Sequence, residues 1–318
     1  VQLAPFDVTY GGFTGCNVNA VVRSGTNEIS GSVWIDYTND AMQGDSIEGN
    51  KFDVPDFDEK RYGFTIGAPI IKDKLFIFAA YETHEPTELF EDGPEGAGFA
   101  EPIEGLTVGI LDDIRSIALN TYGYQAGDII TAADEEEEKV LIKLDWEIMD
   151  GQRASLTYQN TDGNTISSTG ASSSSYAFND RYYRRANELT SYSLQLFSDW
   201  TDNFSTEVRV GIQEVKNGQT PFTSDPDFGD VTIRDVVDGV DVFLGADQFR
   251  QANKLEYDTN TFRFAGTYFA GDHEITGGIE YGSVDVFNLF VPGSQGRFEF
   301  DSLEDFRNGV ASRIRYAI

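Results

Sequence analysis

Apolar and polar residues alternate with a period of two along parts of this chain. In residues 206–213, Val208, Val210 and Ile212 fall on one face and polar residues or glycine fill the other. Successive side chains of a strand point to opposite faces, so this pattern predicts a strand with one apolar face. Further strands are predicted at residues 29–37, 62–68, 75–81, 140–148, 153–158, 191–200, 261–269 and 274–286. Several reach the roughly nine to eleven residues that a tilted strand needs to cross a bilayer.

The connections between these predicted strands alternate in length. Short turns near residues 69–73, 149–152, 201–203 and 270–272 close two-stranded units, and long polar segments join each unit to the next. Those segments cover residues 39–59, 84–138, 161–189 and 217–258. Outer-membrane barrels place short turns in the periplasm and long loops outside the cell, whereas a soluble sandwich has no reason to sort its connections this way. The pattern predicts an all-β fold, an antiparallel transmembrane β-barrel with about nine or ten strands in this chain.

Composition limits the function without naming it. The mean hydropathy of −0.35 and the absence of a long apolar run exclude a transmembrane helix. Aromatic residues make up 13% of the 318 residues, which suits the girdles at the two membrane interfaces. A net charge of −31 argues against binding nucleic acid through its phosphates. Acidic residues concentrate in the predicted loops, as in residues 134–138, where divalent cations could bridge them to lipopolysaccharide.

Candidate catalytic chemistry is sparse. His84 and His273 are the only histidines, and neither has a second His or a Cys nearby in sequence to form a metal site. The acidic run at residues 134–138 lacks the spaced oxygen ligands and central glycine of a calcium loop. No nucleophile elbow, phosphate-binding loop or dinucleotide fingerprint is present. The sequence therefore predicts no catalytic residue, metal or cofactor, and a protein that is not an enzyme.

One basic and aromatic cluster lies in a predicted loop of this acidic chain. It comprises Arg181, Tyr182, Tyr183, Arg184 and Arg185. Arginine pairs with carboxylates and phosphates, and both residue types can stack on sugars, so the cluster is a candidate ligand contact. The alternative is an outer-leaflet girdle whose arginines touch lipopolysaccharide.

The N-terminal stretch carries a specific motif. A Tyr-Gly step, a small-residue pair, a Val-Asn strand and a basic residue follow one another, with the key positions Tyr10, Gly11, Gly12, Gly15, Asn19 and Arg23. This order resembles the end of the plug domain of TonB-dependent outer-membrane transporters, in particular the Oar-like group. Residues 61–78 resemble the second strand, turn and third strand of Oar-like barrels, and residues 112–127 resemble a loop helix of that group. The glycines suit a chain that passes close to a barrel wall and turns sharply into it.

The resemblance implies a division of the chain and a function. Residues 1–27 are expected to end a plug domain, and residues 28–318 to begin a barrel of about 22 strands whose remainder follows residue 318. The expected activity is import of an unidentified ligand across the outer membrane of a Gram-negative bacterium. The implied partners are TonB with ExbB and ExbD, acting through a segment before Val1, together with outer-membrane lipid and lipopolysaccharide. Two alternatives stay open: a passive porin or adhesin barrel, and a secreted carbohydrate-binding β protein.

Overall fold

A large antiparallel sheet dominates the fold. The computed structural model describes residues 2–3, 16–17, 21–51 and 54–317. Nine long strands of this part of the chain pair in sequence order, each with the next. They are β1 Ser30–Asn39, β2 Asp58–Ile71, β3 Leu75–Glu85, β4 Glu136–Met149, β5 Gln152–Ser167, β6 Glu188–Thr201, β7 Phe204–Pro221, β8 Asn253–Ala270 and β9 His273–Phe290. A short tenth strand, Tyr183–Ala186, lies between the ends of β5 and β7.

Short turns and long connections alternate along this sheet as the sequence predicts. Short turns join β2 to β3, β4 to β5, β6 to β7 and β8 to β9. Asp73, Gly151 and Gly271 in these turns have positive φ values of 61°, 71° and 62°. The all-β prediction is confirmed, but several strands are longer than predicted. For example, β7 continues to Pro221 and β8 begins at Asn253, inside the predicted connection, because polar residues outside an apolar band extend the backbone ladder without an alternating hydrophobic signal.

One face of the sheet carries a belt of apolar side chains. Val210 pairs with Leu194 on β6 and with Phe262 on β8, and the next row along β7 joins Val208 to Leu196 and Phe264. Large members of this belt remain exposed, including Leu194 at 46% and Phe262 at 37%. The opposite face is polar, as in the row that joins Gln213 to Ser191 and Thr259. A barrel in lipid needs this division into an apolar outer face and a polar lumen.

The long connections fold together into a second body, here called the loop core. Three of them supply strands to a sheet of their own, in the order Ser175–Ala177, Val240–Leu244, Asp230–Val237, Arg297–Phe300 and Arg313–Arg315. Two helices pack with it, α1 Val108–Tyr122 and α2 Leu303–Asn308. The fully enclosed side chains include Leu111, Ile114, Phe178, Ile233 and Phe306. The three longest connections and the segment after β9 therefore form one packed unit rather than separate loops.

Helix α1 overlaps residues 112–127, the segment that resembles a loop helix of Oar-like barrels. The side chain of Thr107 accepts a hydrogen bond from the backbone N–H of Ile110 at its start, and Gly123 ends it with a φ of 71°. Residues Leu111, Ile114, Ile117 and Ala118 form its buried face. Among the described residues, no helix is both long enough and apolar enough to span a bilayer.

The remaining short elements lie within the connections and near the N-terminus. Four pairs of strands are Ser46–Ile47 with Asn50–Lys51, Thr87–Leu89 with Ala132–Asp134, Asp92–Glu95 with Glu101–Thr107, and Gln2–Leu3 with Cys16–Asn17. Two 3₁₀ turns are Asp40–Met42 and Asn179–Arg181.

Candidate functional site

Residues 22–27, just before β1, lie against the polar face of the barrel wall. Lys143 on β4 points to the face opposite Leu144, and its Nζ donates to Ser24 Oγ at 2.8 Å and approaches the Val22 carbonyl at 3.5 Å. Further along, Asn27 and Asp73 exchange two hydrogen bonds. Asn27 Nδ2 donates to Asp73 Oδ1 at 2.6 Å, and the Asp73 N–H donates to Asn27 Oδ1 at 2.9 Å. Residues 22–27 are thus fixed from the middle of β4 to the turn between β2 and β3.

Gly25 allows this close approach. A Cβ added at Gly25 would lie 2.3 Å from the Ile77 carbonyl oxygen and 2.9 Å from that of Ala68. Contacts below 3.0 Å to backbone atoms cannot be relieved by a side-chain rotation, so the segment would have to move away from the wall. Glycine is the residue that lets one backbone pack directly on another here.

The described residues include only part of the predicted plug-end motif. Arg23 is exposed beside this wall contact. Tyr10, Gly11, Gly12, Gly15 and Asn19 lie outside the described residues, so their roles stay predictions. Lys143, Asn27 and Asp73 were missed at the sequence level, because a Lys on a strand and an Asp in a hairpin turn are ordinary residues until the partner segment is known.

The structure separates the members of the predicted basic and aromatic cluster. Arg181 is only 6% exposed and lies inside the loop core. Its guanidinium pairs with Asp230, and its Nη2 lies 3.1 Å from Asp247 Oδ2. The ring of Tyr182 is enclosed as well, 4.7 Å from that of Phe90. These two residues hold connections together and are not available to a ligand.

The other three members lie at the rim of the barrel wall. Tyr183 is buried, whereas Arg184 and Arg185 are exposed. Arg250 joins them, with its guanidinium carbon 4.5 Å from the centroid of the Tyr183 ring. Arg250 is far from this cluster in sequence, and no motif around it reveals the contact. For Tyr183 the structure shows a supporting role, and ligand contact stays a prediction for Arg184 and Arg185.

A buried carboxylate lies at the centre of the loop core. Asp180 is 2% exposed, and its Oδ2 accepts hydrogen bonds from the Tyr124 hydroxyl at 2.6 Å and the Gly245 N–H at 3.1 Å. Burial raises the pKa of Asp180 above its ordinary value, although these hydrogen bonds and Arg181 oppose the shift. Burial also raises the pKa of Tyr124, and the nearby Asp180 adds to that effect. Both groups are therefore biased toward their neutral forms.

The described residues show no grouping suited to a metal ion. No three His, Cys, Asp or Glu side chains in this part of the chain are arranged to hold one. His84 pairs with Glu59, with Nε2 and Oε1 2.7 Å apart. His273 begins strand β9 and is exposed.

Comparisons with known proteins agree with this architecture. The outer membrane beta barrel domain family matches residues 21–88. Over 78 residues the chain is 35% identical to the TonB-dependent transporter Oar of Myxococcus xanthus, a match that covers 23% of this chain and 7% of Oar. The crystal structure of the outer membrane transporter YddB from Escherichia coli has a similar fold, with a TM-score of 0.52 and 13% identity. That match covers 86% of this chain and 33% of YddB.

These matches confirm three predictions from the sequence. They support the outer-membrane β-barrel fold, the resemblance to a TonB-dependent transporter of the Oar type, and a location in the Gram-negative outer membrane. The location contradicts the alternative of a secreted soluble protein. The chain spans much less than two thirds of either transporter.

Proposed function

Because this chain is part of a Gram-negative outer-membrane β-barrel, we propose that it belongs to a transporter that imports a ligand by energy coupling to the inner membrane. In this proposal residues 1–27 end a plug domain, and strands β1 to β9 form part of the surrounding wall. TonB, with ExbB and ExbD, pulls on the plug through a segment outside this chain. The ligand crosses without a bond being made or broken.

The contact between residues 22–27 and the polar face of β4 carries this proposal. A passive porin leaves its polar lumen to water, whereas here Ser24 binds Lys143 on the polar face of the wall and Asn27 binds Asp73 in the turn between β2 and β3. The packing of Gly25 on the Ile77 carbonyl shows that the segment and wall are fitted at backbone level. The chain that connects a domain inside the lumen to strand β1 would have to run along the wall, as residues 22–27 do.

Conductance in planar bilayers tests whether the lumen is closed. The full-length protein is expected to be nearly silent at rest. Replacing Asn27 and Asp73 by alanine removes the hydrogen bonds between the segment and the turn and should increase the frequency of openings. Matched alanines at Thr267 and Thr276, which bond to each other on the wall away from this segment, serve as the control. Steady conductance of the unaltered protein at rest would favour the passive porin instead.

Energy coupling requires its own experiment. The periplasmic domain of TonB should be retained by the full-length protein in detergent. In cells that lack TonB, surface binding of the ligand should persist while its uptake stops. Uptake at an unchanged rate without TonB, together with no retention of the TonB domain, would refute the proposal.

A further inference from the structure

Three arginines at the rim of the barrel wall have no acidic partner. Arg184, Arg185 and Arg250 lie at or beside the short strand Tyr183–Ala186, where β5 and β7 meet the loop core. Within the described residues, none of them has a carboxylate oxygen within 4.0 Å. The whole chain has 54 acidic residues against 23 basic ones. Arg153, Arg263 and Arg315 also lack ion pairs in the described residues, so it is the surroundings of Arg184, Arg185 and Arg250 that set them apart.

Strand pairing places Arg184 and Arg185 on opposite faces of the wall. Arg185 lies opposite Gln219 on β7, and Arg184 lies opposite Thr220. Counting in steps of two along β7, Gln219 shares its face with polar Gln213, and Thr220 shares its face with Val210. Arg185 therefore belongs to the lumen face and Arg184 to the outer face.

Arg250 completes a cluster on the lumen face. Its Nη1 donates to Gln219 Oε1, and its guanidinium stacks on Tyr183. Directly opposed residues on one face of an antiparallel pair have Cβ atoms about 4.5–5.5 Å apart, so Arg185 lies beside Gln219. Gln219 is thus hydrogen-bonded to Arg250 and lies directly opposite Arg185.

Two polar atoms in this cluster are buried without a hydrogen-bond partner. They are Nε of Arg250 and Oγ1 of Thr165, and Thr165 lies directly opposite Arg185 on β5. Buried polar groups in folded proteins usually have partners, so these two atoms leave hydrogen-bonding capacity next to Arg185 and Arg250. The guanidinium fork matches the two oxygens of a carboxylate or phosphate.

We propose that Arg185, Arg250, Gln219 and Thr165 form a binding site for a carboxylate or phosphate group of the ligand, at the lumen-facing rim of the barrel. Arg184 has a different role. It lies over Phe222, with its guanidinium carbon 5.5 Å from the ring centroid, and belongs to the outer face, where we expect it to meet lipopolysaccharide phosphates. That the bound anion is part of an imported ligand rests on the proposed transport function. That an anion binds at this site does not depend on it.

Calorimetric titration of the full-length protein in detergent tests the site. Citrate and inorganic phosphate serve as probes at low ionic strength, because salt screens such contacts. Binding of at least one anion is expected, and Arg185→Gln should weaken it about tenfold or more, the effect of losing a charged hydrogen bond. Arg250→Gln should do the same. Arg185 is exposed, so its variant tests the site even if Arg250→Gln disturbs the packing on Tyr183.

Arg184→Gln is the matched control, since it removes the same charge from the adjacent residue. It should leave citrate and phosphate binding within about twofold but weaken binding of lipopolysaccharide micelles. The inference would be overturned if neither probe bound, or if Arg184→Gln and Arg185→Gln weakened anion binding equally. It would also be overturned if lipopolysaccharide binding weakened in Arg185→Gln but not in Arg184→Gln, because Arg185 would then be the residue that contacts the membrane surface.

The two proposals can fail separately. Arg185→Gln should still retain the TonB periplasmic domain, because residues 22–27 are held by Lys143 and Asp73 and not by Arg185. If the unaltered protein bound neither citrate nor phosphate but still retained the TonB domain, only this inference would be refuted. Anion binding in a protein that does not respond to TonB would refute only the transport function.

Discussion

Replacing Val210 by arginine tests which face of β7 meets lipid. The least polar part of its outer face extends from Phe204 to Ile212 and is followed by Glu214. At about 3.4 Å per residue and a tilt of about 40°, this stretch rises about 21 Å, close to the apolar band of about 25 Å in outer-membrane barrels. Val208 is then at its middle, and Val210 lies about 5 Å away. An arginine there would be forced into the hydrocarbon between Leu194 and Phe262.

The expected cost is about 2–3 kcal/mol of folding free energy, slightly below the value for the exact midplane. Urea titration of the full-length protein in lipid vesicles measures it. Gln213→Arg is the control, because Gln213 lies on the same strand but faces Ser191 and Thr259 in the lumen, where a charge stays in water. Its cost should be below about 1 kcal/mol. Equal costs for the two variants would show that the assignment of faces is wrong.

Two further predictions concern the segment before β1 and the loop core. Gly25→Ala should lower stability by about 1–3 kcal/mol in thermal denaturation, because its Cβ has no space. Gly277→Ala, where nothing lies within 4 Å, should change little. Burial raises the pKa of Asp180, so the folded protein holds this proton more tightly than the unfolded chain, and stability falls as the pH rises above the unfolded value of about 3.9. Proteolysis of the loops should therefore be slower at about pH 5 than at about pH 8, and Asp180→Asn should reduce the difference. An unchanged pH dependence in that variant would contradict the reasoning.

The sequence predicted the barrel strands well because their signal is local. In β7 the alternation of Val208, Val210 and Ile212 with polar residues is visible without knowing any partner. The turns are equally local, since Gly151 and Gly271 mark positions with positive φ. Each strand also pairs with its neighbour in sequence, so the order of the sheet follows directly from the order of the chain.

The loop core could not be predicted in the same way. Its sheet joins Ser175–Ala177, Val240–Leu244 and Arg297–Phe300 from three different connections, and two of its pairings are parallel. Strands of three to five residues are too short to show a period. The enclosure of Val242 and Leu244 depends on segments that are distant in sequence. Within the loop core only α1 is long enough, at several helical turns, to be recognised from the sequence.

The basic cluster shows the same limit at the level of single residues. Residues 181–185 are all basic or aromatic, but they differ in burial. Arg181 is neutralised by Asp230 and Asp247, which lie in another connection. Arg184 and Arg185 differ by one step along a strand and so face opposite sides. The sequence shows that residues 181–185 contain three arginines, but only the strand register shows that Arg185 lies on the lumen face and Arg184 on the outer face.

The polar face of the wall carries the two proposed functional features at different heights. Arg185 and Arg250 lie at the rim beside the loop core, and Lys143 and Asp73 hold the segment before β1 nearer the short turns. The described residues provide no hydrogen bond or ion pair that joins the two groups. Effects of mutations at distant sites without shared partners usually add. If both proposals hold, ligand capture at the rim and closure by the segment are expected to change independently, so substitutions at Arg185 and at Asn27 should have additive effects.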